Sequence, residues 1–246
     1  MPTYAVILAA AGRSSRFHDK NSRKPFIELN GKPVWLYSAE LFFNHPDVRQ
    51  LIIVISPDDH TEFVSRNADH IASLGIQIVL GGKERADSVE NGLRRVNPEF
   101  DLVVIHDAAR PCLDADLIER VFIAAVDSGA AIPAIPVNST LKRSLDGKRI
   151  DETADRCHLY EAQTPQVFAR ELICDLYAKR DGHAVTDDSQ LAEQHGVSVS
   201  LVEGSPLNLK ITTQADLKLA GACLNSMAVP RYDAPIDPTQ NHPRRR

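Results

Sequence analysis

Five apolar runs rich in β-branched residues recur along this chain: YAVILAA from Tyr4, LIIVIS (Leu51 to Ser56), IQIVLGG (Ile76 to Gly82), LVVIH (Leu102 to His106) and AAIPAIPV (Ala130 to Val137). Continuous runs of this kind read as strands buried on both faces. Stretches of helical length and periodicity lie between them, among them VWLYSAELFFNHP, entered through Pro33, and DADLIERVFIAAVDSG, with Asp114 as its cap. Strands alternating with helices predict an α/β fold with a largely parallel sheet and crossover connections. In such sheets ligands bind beyond the carboxyl ends of the strands. The loop after the first strand, the GGKERADSV loop and the HDAARP loop are therefore expected to gather at one edge.

The 246 residues, 43% of them hydrophobic, are enough to bury one sizeable core, and one globular unit over residues 1–225 is expected. Residues 139–163 break the alternation. This stretch is charged, has a turn at Asp146 and Gly147 and lacks a long apolar face, so it reads as a hairpin arm that packs on something else. Residues 226–246, with four prolines and a terminal triple arginine, read as a disordered tail. A net charge of −5 gives no global basic field, which argues against nucleic acid or an anionic membrane as a partner. Four scattered cysteines form no CxxC pair, so neither a disulfide framework nor a zinc site is expected, and a cytoplasmic setting fits. The opening apolar run has no basic segment before it and is too short to span a bilayer, so it reads as neither signal peptide nor anchor.

The loops carry the chemistry. In the first, Ala10, Ala11 and Gly12 let the backbone approach a ligand, and Arg16 and Lys24 can neutralise phosphate. Neither GxxxxGK[ST] nor GxGxxG is present, and ordinary strand-to-helix punctuation would look similar. GGKERADSV offers Arg85, Asp87 and Ser88 to a nucleotide, or simply caps a helix through Asp87 or Ser88. HDAARP sets His106, Asp107 and Arg110 at a strand end, where the acid can meet a ribose hydroxyl or a metal and the arginine a phosphate. A local Asp107–Arg110 ion pair is the plainer alternative, and His106 reads as structural. QTPQVF, TDDSQLAE and NLKIT each look like a loop or cap, except that Lys210 is a cation within a strand-like run.

Taken in order, AAG…R…K, GGKERADSV, HDAARP, TLK, DR…QTPQ, TDD and NLKIT resemble the 2-C-methyl-D-erythritol 4-phosphate cytidylyltransferase family from about Ala5 to Leu219. The resemblance implies a Rossmann-like nucleotidyltransferase sheet with a protruding dimerisation arm. It also implies transfer of a cytidylyl group from CTP to methylerythritol phosphate, with release of pyrophosphate. By the same resemblance Arg16, Lys24 and Lys210 stabilise the transition state. Ala10, Ala11, Gly12, Gly82, Ser88 and Asp107 hold the nucleotide, and Arg110, Thr140, Arg156, Thr164 and Thr186 hold the acceptor, the arm residues reaching a second subunit. Mg²⁺ is expected to be bound mainly through CTP phosphates rather than by protein ligands. Departures from the family pattern are Ser14 in place of a glycine, RKPF in place of PKQ, and Ser139 in place of an acid. They keep open an enzyme for another polyol phosphate, such as ribitol 5-phosphate, and a nucleotide-binding homologue without activity.

Overall fold

A computed structural model describes residues 1–12 and 26–227. Its elements in chain order begin with β1 (Tyr4–Ala9), β2 (Glu28–Leu29), β3 (Lys32–Pro33), α1 (Val34–Phe43), β4 (Val48–Ile55), α2 (His60–Ser73), β5 (Gln77–Leu80) and α3 (Arg85–Leu93). There follow β6 (Leu102–Asp107), α4 (Ala115–Ser128), β7 (Ala130–Pro136), β8 (Leu141–Arg143), β9 (Glu152–Ala154), β10 (Tyr160–Ala162), β11 (Gln166–Ala169), α5 (Arg170–Lys179), α6 (Asp188–Gln194), β12 (Ser200–Glu203) and α7 (Gln214–Ser226).

The main sheet runs β10-β7-β11-β6-β1-β4-β5, with β12 joined to β7. Pairings β5–β4, β4–β1, β1–β6 and β12–β7 are parallel, whereas β11 and β10 run antiparallel to their neighbours. Alternate side chains of β1 explain the layering. Tyr4, Val6 and Leu8 join a core with α1 and α4 on one face, and Ile7 joins a second core with α3, α5 and α6 on the other. From β1 the chain goes outward through β4 to β5, then returns to β6 on the far side of β1. The switch point therefore lies at the carboxyl ends of β1 and β6, where such sheets form a crevice.

Local chemistry accounts for most boundaries. Asp114 caps α4 by accepting from Leu117 N at 2.7 Å, and Gly129 ends that helix at φ 80°. Asp187 caps α6 by accepting from Gln190 N at 2.9 Å. Glu84, rather than Asp87 or Ser88, occupies the N-cap of α3; Asp87 sits one turn in and its carboxylate accepts from Glu84 N at 3.1 Å.

Two sequence readings need correction. β5 is an edge strand, paired with β4 alone, and Leu80 is 48% exposed, so this run is not buried on both faces. QTPQVF contains β11, because Val167 fills the first core and Phe168 the second, one on each face of the sheet. NLKIT is a loop, as expected despite its strand-like composition: Asn208 N bonds back to Ser205 O and Ile211 N to Ala109 O, which ties the segment down across the HDAARP turn.

The arm is a hairpin of β8 and β9 paired only with each other, its tip at Gly147 (φ 67°) organised by Asp146, which accepts from Lys148 N and Arg149 N. β10 then rejoins the sheet along β7, and after Gln163–Pro165 the chain continues beside the same strand as β11. No helix among the described residues is long and apolar enough to cross a membrane.

Candidate active site

Ala10, Ala11 and Gly12 follow β1, Gly82 and Ser88 flank the start of α3, and Asp107 ends β6; all line one cleft of about 490 Å³, with Lys210 at its wall. Close approach builds it. A β-carbon on Gly81 would lie 2.5 Å from Ala11 Cβ and 2.8 Å from Ser88 Oγ, so a side chain there is excluded. Ser88 Oγ in turn accepts from Gly82 N at 3.1 Å and donates to Glu84 O at 3.0 Å, fixing the turn. A second cavity of about 220 Å³ adjoins the first through Arg85, Asp107 and Lys210, and is also lined by Arg110, Thr164 and Thr186.

Asp107 stands where the two cavities meet. Its Oδ2 is 2.7 Å from Lys210 Nζ and 3.8 Å from Arg110 Nε, and its Oδ1 is 3.3 Å from Arg85 Nε. Burial would raise its pKa, but Arg85, Lys210 and Arg110 together outweigh that penalty and hold it below the usual carboxylate range. Burial equally opposes the charge on Arg85, and there Asp188 and Asp107 win, so the guanidinium is held more firmly protonated than usual. Arg110 donates from Nη1 to Asn208 O at 2.7 Å, joining the HDAARP turn to the Lys210 loop. The Asp107–Arg110 pair expected from local spacing is the longest of these contacts; the ones that dominate come from Arg85 and Lys210.

Thr164 extends the register of β11 on β6, opposite Asp107, and its Oγ1 accepts from Asp107 N at 3.1 Å. It also contacts His106 Nδ1 at 3.1 Å. His106 is fully buried, its Nε2 3.2 Å from Ser38 Oγ, and burial pushes its pKa down to about 4 despite the pull of Asp107. A neutral imidazole in such a network supports the backbone rather than abstracting protons from a ligand. Thr186 N and Oγ1 both donate to Gln190 Oε1, at 2.7 and 3.1 Å, which anchors the residue at the rim of the second cavity.

One pair of anticipated residues does not join the others here. Thr140 and Arg156 lie on the exposed arm and line neither cavity of their own chain. Arg16 and Lys24, like Ser14 and residues 228–246, lie outside the described residues, while Ser226, placed in the expected tail, is the last residue of α7. Sequence reading undervalued Arg85 and missed Asp188, which is fully buried and ion-paired to it at 2.8 Å. The paired acids of TDD are a plain helix-cap pattern, and nothing local marks the second as buried.

A family model described as 2-C-methyl-D-erythritol 4-phosphate cytidylyltransferase matches residues 4–226. The chain belongs to that family. It is 42% identical over 233 residues to the 2-C-methyl-D-erythritol 4-phosphate cytidylyltransferase of Rhodopirellula baltica, covering 90% of this chain and 94% of the relative. Among solved structures, 4-diphosphocytidyl-2C-methyl-D-erythritol synthase from Anaerococcus prevotii superposes with a TM-score of 0.77 at 31% identity, covering 91% of this chain and 96% of that one. The Thermus thermophilus cytidylyltransferase gives 0.75 at 31% identity, covering 92% and 100%. The mostly parallel sheet with flanking helices is thus the nucleotidyltransferase fold of this cytidylyltransferase family, and the chain is a CTP-dependent cytidylyltransferase.

Proposed function

We propose that the cleft between the β1 loop and the α3 loop receives CTP, that the adjoining cavity receives 2-C-methyl-D-erythritol 4-phosphate, and that cytidylyl transfer takes place at Asp107, where they meet. The convergence of Arg85, Arg110 and Lys210 on one carboxylate at that junction carries the reading. An acceptor phosphate oxygen attacks the α-phosphorus of CTP, the P–O bond to pyrophosphate breaks, and 4-diphosphocytidyl-2-C-methyl-D-erythritol forms. Both reactants are anions, so positioning and charge neutralisation dominate catalysis and no protein nucleophile is needed. Near neutral pH the acceptor phosphate is already ionised, which removes the need for a strong base.

In this reading Ala10, Ala11, Gly82 and Ser88 read the cytosine, while Gly12, Arg16 and Lys24 hold the triphosphate. Lys210 meets the phosphates where charge builds up, and Arg110, Thr164 and Thr186 hold the acceptor. Asp107 and Glu84 are the carboxylates lining the cleft among the described residues, and Asp107 is committed to three cations. That donor set does not fit a protein-held metal cage; Mg²⁺ is proposed to be bound through CTP oxygens and to supply charge neutralisation there.

A homodimer with exchanged arms completes the proposal. Leu145, Ile150, Leu159 and Tyr160 leave apolar surface exposed along the arm, and Thr140 and Arg156 line neither of the two cavities described above. Four free cysteines are in keeping with a cytoplasmic enzyme. The deciding experiment is pyrophosphate release with CTP and Mg²⁺, comparing methylerythritol phosphate, ribitol 5-phosphate and no acceptor. Release with methylerythritol phosphate alone is expected. Release with ribitol phosphate alone would move the acceptor assignment, and silence in every arm would overturn the catalytic reading.

A further inference from the structure

Asp188 opens α6 with its side chain sealed from solvent. Its Oδ1 accepts from Tyr177 OH on α5 at 2.6 Å, its Oδ2 lies 2.8 Å from Arg85 Nη2, and its backbone N donates to Gln166 Oε1 on β11 at 3.0 Å. Tyr177 and Gln166 would anchor the turn equally well against a neutral amide. A buried negative charge is costly unless something requires it, and among the described residues its ion-pair partner is Arg85.

Arg85 carries the effect forward. Its Nε reaches Asp107 Oδ1 at 3.3 Å, and Asp107 Oδ2 reaches Lys210 Nζ at 2.7 Å. Charges therefore alternate from Asp188 through Arg85 and Asp107 to Lys210. Both Nη atoms of Arg85 are out of contact with solvent, and the Nη2 contact with Asp188 is a charge contact rather than an aligned hydrogen bond. Were Asp188 neutral, the whole charge of Arg85 would fall on Asp107, in direct competition with Lys210.

We infer that Asp188 is a positioning residue for the transfer reaction: by sharing the charge of Arg85 it sets which oxygen of Asp107 faces Lys210, and so where the lysine ammonium sits at the junction of the two cavities. The inference rests on the active-site reading above. It assigns Asp188 and Tyr177, which line neither cavity, a part in turnover rather than in folding alone.

The test compares Asp188→Asn, Arg85→Gln, their double variant and Tyr177→Phe by steady-state kinetics with CTP and methylerythritol phosphate, with circular dichroism and thermal melting alongside. Asp188→Asn should lower kcat by about tenfold per folded enzyme, with KM for CTP unchanged or lower because the site gains positive charge. The double variant should be no worse than Arg85→Gln alone, since one acts through the other. Tyr177→Phe should lower kcat by about twofold to threefold, with the same unchanged KM for CTP. A merely structural Asp188 would lower the melting temperature while leaving kcat per folded enzyme within about twofold and giving additive losses; that result overturns the inference. Should Asp188→Asn fail to fold, Tyr177→Phe decides, and unchanged kcat counts as refutation. Wild-type silence would strike the active-site reading itself, whereas an active wild type beside an unaltered Asp188→Asn strikes only the positioning role.

Discussion

Lys210 Nζ lies 2.7 Å from Asp107 Oδ2, so the cation proposed to meet the phosphates is held in advance by a carboxylate that two arginines hold in turn. Such preorganisation matters because a charge already fixed in place costs no rearrangement when the transition state forms. Around that carboxylate the three cations Arg85, Arg110 and Lys210 outnumber Asp107 and Asp188, so an incoming phosphate meets positive charge at the junction.

Lys210→Ala should lower kcat by about 10² to 10³. Its side chain is 39% exposed and reaches in from a loop, so the fold should survive. Lys24→Ala is expected to behave alike on the family pattern. Pyrophosphate release and circular dichroism read the two effects separately; near-normal turnover in both variants would rule out the phosphate clamp.

Arm exchange can be checked by mixing two inactive proteins. In a dimer where each site combines one chain's body with the other's arm, Lys210→Ala mixed with Arg156→Ala leaves one intact site in each mixed dimer. About a quarter of wild-type activity should return after co-refolding at equal amounts. If none returns, each chain uses its own arm or none. Arg156→Ala alone should weaken acceptor use more than CTP binding.

Gly81→Ala should push the β1 loop away from the α3 loop, since the new methyl meets Ala11 Cβ and Ser88 Oγ. The strain should cost about 1 to 3 kcal/mol, seen as a lower melting temperature, and should weaken CTP binding in calorimetry. A variant that binds CTP normally would show that the two loops need not approach so closely.

His106 should make stability depend on pH in a defined window. Its folded pKa is pushed down to about 4, while the unfolded value stays near 6.5. Between these values the unfolded state binds the extra proton, so stability is present above about 6.5 and is lost as pH falls toward 4. The loss from this one group is at most about 3 kcal/mol. Asp107, whose pKa is also depressed, contributes a loss at lower pH still. Denaturant unfolding from pH 7 to 4 should show the slope in the wild type and a flatter one in His106→Asn; identical slopes would exclude His106 as its source.

Most of the fold was legible in the sequence because strand and helix identity depends on neighbours in the chain. Runs such as YAVILAA and LVVIH had to be buried strands, and the alternation with helices brought their carboxyl-end loops together. That alternation anticipated the meeting of the loops, and the family resemblance singled out Ala10, Ala11, Gly12, Gly82, Ser88 and Asp107 among their residues, all of which line the cleft. NLKIT is the loop expected, but nothing in its strand-like composition shows that the long-range bond from Ile211 N to Ala109 O carries Lys210 to Asp107.

What only the tertiary structure decided is which charges are buried and against whom. Arg85, Asp107, Asp188 and Tyr177 come from α3, β6, α6 and α5, and no local pattern pairs them. Hydrophobic periodicity is written residue by residue, whereas the electrostatic environment of an ionised side chain is set by everything that packs around it. The sequence by itself determined the sheet and the loops that meet at its edge. Packing across the sheet determined that Asp107 is held by Arg85 and Lys210, because only there does burial strip away the water that would otherwise screen them.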